Sequence, residues 1–182
     1  MVWNTLLALI PLGLSAGLFR VRWRRRGALG WTVLWWTGVV AFVAFLPNAP
    51  YVVTDGIHLV RRLEMNPSWV RSGILVLGFS LFFLVGLEAY ALCIQNLRRY
   101  LGRTIVPLEL AIHGLCAVGI YLGRVLRFNS WDLLGNGHAI LHAAHKTVTQ
   151  PWPAALVAAA FAMTAVSCEA MVRVNAAWQR LR

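Results

Sequence analysis

VRSGILVLGFSLFFLVGLEAYALCIQN, residues 70–96, decides the fold. Its only charges are Arg71 and Glu88, and it exceeds the ~20 apolar residues that carry a helix across a bilayer core. Four more apolar stretches surround it, at 2–19, 28–46, 105–123 and 152–173. The 182-residue chain is 59% hydrophobic and 13% charged, where a soluble domain carries about a quarter charged residues. Such a chain predicts one integral membrane unit over 1–182, an all-α polytopic bundle of five spans. Residues 1–19 could pass for a cleaved signal, but the basic cluster follows that run instead of preceding it. A retained first helix is the better expectation.

The net charge is +11. In a soluble protein this would suggest nucleic acid; here the arginines lie between apolar runs, where they orient helices and meet lipid phosphates. No nucleic-acid partner is expected. Arg20, Arg22, Arg24, Arg25, Arg26, Arg98, Arg99, Arg103, Arg173, Arg180 and Arg182 fall on one side of the five spans. Arg61, Arg62, Arg71, Arg124, Arg127 and Lys146 fall on the other. The positive-inside rule places the larger group in the cytoplasm. The N-terminus then faces the periplasm of a bacterial inner membrane and the C-terminus the cytoplasm. Cys93, Cys116 and Cys168, all in apolar runs, offer neither a disulfide framework nor zinc spacing.

Two outer segments, 47–69 and 124–151, are too long for hairpin turns and too apolar for free loops. Pro47 and Pro50 stop the second span. Residues 51–63 and 131–149 then read as interfacial helices on the outer face. The segments hold Asn48, Asp55, His58, Arg124, Arg127, Asn129, Trp131 and Asp132. Polar groups at a lipid boundary need partners, since apolar surroundings do not solvate them. One reading is a clasp in which Arg124 or Arg127 pairs with Asp55 or Asp132. The other is a ligand site for an anionic lipid-like or phosphate headgroup, because an arginine fork matches phosphate or carboxylate. Asn129 or Ser130 would also cap the following helix.

His138, His142 and His145 stand at i, i+4 and i+7, one face of a helix. With Asp55, Asp132 or His58 they could hold Zn²⁺, and the protein would then be a metal-dependent membrane hydrolase. Without metal they form a polar helix face. A third expectation is an accessory subunit whose apolar helices pack on a membrane protein partner or in a homo-oligomer. Inside the membrane, Glu88 and His113 should lie at one depth on antiparallel helices and pair.

Two phrases carry a resemblance. The first is Phe45-Leu46-Pro47-Asn48-Ala49-Pro50-Tyr51 with Thr54-Asp55 and His58-Leu59. The second is Gly123-Arg124 with Leu126-Arg127 and Asn129-Ser130-Trp131-Asp132-Leu133-Leu134. In this order, over roughly residues 28–135, the chain resembles a bacterial membrane family catalogued as domain of unknown function 1361. The resemblance implies a multi-pass inner-membrane protein. It implies no activity and no catalytic residues, and the three clustered histidines are not a hallmark of that family.

Overall fold

The computed structural model describes residues 2–20, 29–65, 68–128 and 132–181. Among them there is no strand. Helix α1, Val2–Ser15, continues into a π-helical turn, Ala16–Arg20. Helix α2, Leu29–Phe45, is apolar on every face, the composition of a helix with no water-facing side. After a turn at Leu46-Pro47 come the short helix α3, Asn48–Tyr51, and a 3-10 turn, Val52–Asp55. Helix α4 is Gly56–Glu64 and helix α5 is Trp69–Leu101. Gly102, at φ 66°, opens the 3-10 turn Gly102–Ile105 into α6, Val106–Arg124. Helices α7, Asp132–Gly135, α8, Gly137–Thr149, and α9, Pro151–Arg180, complete the chain. Pro107, Pro151 and Pro153 lie at or near helix starts, where a missing N–H removes no helix hydrogen bond.

Among the described residues, four helices are long and apolar enough to cross a membrane: Thr32–Tyr51, Trp69–Leu101, Val106–Arg124 and Pro151–Arg180. Leu6–Arg20 is apolar but shorter. The protein is an all-α membrane helix bundle. A helix closes its backbone hydrogen bonds within itself, as hydrocarbon requires.

Helix α1 packs on α2 and α5, and α9 packs on both α5 and α6. Helices α5 and α6 follow one another in sequence, yet α9 is the larger neighbour of each on that side. The core between them holds Phe42, Leu46, Ala49, Tyr90, Cys93, Ile94, Cys116 and Cys168.

The stretch 46–50 packs into the bundle. Leu46, Ala49 and Pro50 are buried, and α3 packs against α1, α5 and α6. Glycines permit this approach. A Cβ on Gly119 would stand 2.7 Å from Pro47 Cβ, and one on Gly123 would stand 3.2 Å from the Tyr51 ring. These two glycines stand four apart on one face of α6, a small-residue pair that lets backbones come close. The expected helix over 51–63 is also divided, with the 3-10 turn preceding α4. Helix α4 is amphipathic: Leu59 and Leu63 are half-buried while His58, Arg61, Arg62 and Glu64 are exposed.

Candidate functional site

Arg124 ends α6 and Asp55 ends the 3-10 turn that follows α3. Their polar groups meet. Arg124 Nη2 lies 2.6 Å from Asp55 Oδ1. Arg124 Nε and Nη2 donate to Thr54 Oγ1 at 3.0 and 2.5 Å, and the Thr54 hydroxyl in turn donates to the Tyr51 carbonyl at 2.6 Å. Nη1 lies 3.3 Å from His58 Nε2, and the guanidinium carbon stacks 4.5 Å from the centre of the Tyr51 ring. The Asp55 side chain is 4% exposed and that of Arg124 23%. One guanidinium therefore gathers a carboxylate, a hydroxyl, an imidazole and a phenol face. Most of its donors are used inward, and the exposed remainder faces His58.

This contact joins the two phrases that carried the resemblance. The chain belongs to the family described as Protein of unknown function (DUF1361). The family match covers residues 3–166, well beyond the region of the two phrases. No curated protein and no solved structure matches the chain.

The other expected members of the cluster are distributed differently. Asn48 donates through Nδ2 to the Phe45 carbonyl at 3.0 Å and so finishes α2. Arg127 is exposed and sits at φ 61°, a left-handed position usually given to Gly or Asn at helix ends. The Phe128 N–H turns back there to the Leu122 carbonyl at 3.1 Å. Arg127 thus shapes the exit of α6 and forms no ion pair among the described residues. Asp132 opens α7, where its carbonyl accepts the Asn136 N–H at 2.6 Å. Asn129 and Trp131 lie outside the described residues.

Two expectations are corrected. His138, His142 and His145 do share α8, but all three are exposed, and no group of three or more His, Cys, Asp or Glu among the described residues could hold a metal ion. Helical spacing set their common face, and that face is turned away from the core. Glu88 and His113 likewise find other partners. Glu88 accepts from Asn175 Nδ2 at 2.8 and 3.0 Å. His113 Nδ1 lies 2.7 Å from Tyr90 Oη. Equal depth was not enough. Residues 88 and 90 differ by about 200° around a helix, and α9 takes the Glu88 side.

Sequence reasoning missed a second polar network at the opposite end of the bundle. Arg98, in the last turn of α5, forks onto Glu109 of α6 through Nε–Oε2 at 2.9 Å and a close Nη2–Oε1 contact. Arg98 Nη2 also reaches Glu169 of α9 at 3.3 Å, and Arg173 Nε donates to Glu169 at 2.9 Å. Nearby, Arg20 donates to Asn96, which donates to Ser15. The signals were present: carboxylates Glu109 and Glu169 inside apolar helices, with His113 and Arg173 each four residues on.

Proposed function

We propose that the protein is a multi-pass bacterial inner-membrane protein that binds an anionic lipid-like or phosphate headgroup beside Arg124, on the periplasmic side. The uneven basic count supports that orientation, with the C-terminus in the cytoplasm. One observation carries the site. Arg124 is held in a fixed direction by Asp55, Thr54 and Tyr51 while 23% of its side chain stays exposed. A guanidinium already oriented loses little freedom when an anion arrives. The Arg124–Asp55 pair is itself neutral, so attraction must come from its surroundings. Arg61 and Arg62 on α4 and Arg127 after α6 are exposed. They leave this end positive, the condition for holding phosphate-bearing lipid at an interface.

The test is lipid retention by protein purified in mild detergent and read by native mass spectrometry. Phosphatidylglycerol should be retained over phosphatidylcholine, and Arg124→Gln together with Arg61→Gln should abolish the preference. Equal retention of both lipids by the wild-type protein would end the headgroup reading and leave Arg124 as a structural clasp.

A further inference from the structure

A different site lies at the far end of the bundle and is independent of the headgroup reading. His113 is 3% exposed in the middle of α6. Its Nδ1 is bonded to Tyr90 Oη at 2.7 Å, while its Nε2 stands 3.7 Å from Glu109 Oε1. The second distance is too long for an N–H···O hydrogen bond. The neutral ring is therefore assigned its proton on Nδ1, donating to Tyr90, with Nε2 bare toward the carboxylate.

Glu109 Oε1 is the decisive atom. It is the oxygen that Arg98 Nη2 holds closely and the one that His113 Nε2 faces. Arg98 Nη2 also donates to a second carboxylate, Glu169 Oε2 at 3.3 Å. Exposure rises along the chain of partners: Glu109 13%, Arg98 32%, Glu169 43%, Arg173 79%. The ion-pair network thus runs from beside the buried imidazole to the surface.

We propose that His113 is a proton-binding site within the bundle, and that filling it withdraws Arg98 Nη2 from Glu109 and leaves it on Glu169 alone. The proton comes from solvent and lodges on Nε2; the guanidiniums stay charged throughout and no other group gains or loses a proton. The imidazolium N–H then claims Glu109 Oε1 as a charge-assisted hydrogen bond. Arg98 keeps its Nε–Oε2 bond to α6 and turns Nη2 fully onto α9. One added proton therefore tightens the tie between α5 and α9 and loosens that between α5 and α6. The groups facing this site are Tyr90, Cys93 and Arg98 from α5, Glu109 and Cys116 from α6, and Phe161, Cys168 and Glu169 from α9. Burial of the ring and Arg98 oppose the cation, and the two carboxylates favour it.

The experiment is magic-angle-spinning NMR on full-length protein in lipid bilayers with ¹⁵N-labelled histidine, over about pH 5 to about pH 9, a range that brackets histidine titration. The His113 signals are identified by their loss in His113→Gln. At the alkaline end only Nδ1 should carry a proton, and at the acid end both nitrogens. Glu169→Gln removes the alternative partner of Arg98, so His113 should bind its proton about tenfold more weakly, one pH unit. In wild-type protein the Arg98-to-Glu169 distance, measured by ¹³C–¹⁵N recoupling, should shorten on acidification. A ring that keeps one proton throughout overturns the binding site. An unchanged Arg98–Glu169 distance overturns the switch, whether or not the Gln variant folds.

Discussion

Removing Arg124 strips the buried Asp55 carboxylate of its guanidinium. Deleting one partner of a buried pair costs about 3–5 kcal/mol, and the 4% exposure of the Asp55 side chain places it in that class. Arg124→Ala should therefore lower stability by about 3 kcal/mol or more, read by thermal unfolding in detergent. Arg124→Lys keeps the charge but cannot serve Thr54, Asp55 and the Tyr51 ring together, so it should recover only part of the loss. A loss below about 1 kcal/mol in the alanine variant would place the pair with exposed salt bridges instead. The same scale of reasoning applies to Glu88. Its hydrogen bonds run to Asn175, so a double-mutant cycle of Glu88→Gln with Asn175→Leu should show coupling of about 0.6 kcal/mol, the average for polar pairs in membranes. The cycle with His113→Gln should be additive, since those two side chains share no bond.

Between elements, the tightest approach is α3 and its preceding turn against α6. A Cβ at Gly119 would stand 2.7 and 2.8 Å from two ring atoms of Pro47. A proline ring cannot rotate aside, so the backbone must shift. Gly119→Ala should cost about 1–3 kcal/mol, the range for overpacking. It should also loosen the Arg124 cluster, since α3 carries Tyr51 and leads directly into Thr54 and Asp55. Gly38 supplies the control. A Cβ there meets Leu18 Cδ2 at 2.8 Å, but a leucine can change rotamer. Gly38→Ala should cost less than Gly119→Ala by chemical denaturation. Equal costs would mean that α3 yields as readily as a side chain.

For the whole molecule the open quantity is orientation. Eleven basic residues on one side against six on the other is the count expected if the shorter apolar helix Leu6–Arg20 crosses along with the four longer candidates. A reporter fused after Leu181 should be cytoplasmic, and one inserted after Met65 should lie across the membrane from it. If both reporters fall on one side, the number of crossings between them is even and the proposed outer site is misplaced. Protease protection in sealed vesicles gives the same answer without a fusion.

The helical bundle was legible because hydrocarbon leaves a chain so few options. An apolar run of spanning length must close its backbone hydrogen bonds internally, and that requirement is local. The pairing of Asp55 with Arg124 was legible for a related reason. Both follow helices that end at the same face, and poorly solvated opposite charges there have few other partners. Depth can thus be read from a sequence by counting residues along helices. Azimuth and helix order cannot, because they depend on which surfaces pack best in three dimensions. Helix α9 packs on both α5 and α6, and that arrangement sent Glu88 to Asn175 and His113 to Tyr90. It also brought Glu169 to the fork of Arg98 and Glu109, three residues from three helices. The histidines of α8 follow the same division: their spacing fixed that they share a face, and tertiary packing turned that face outward.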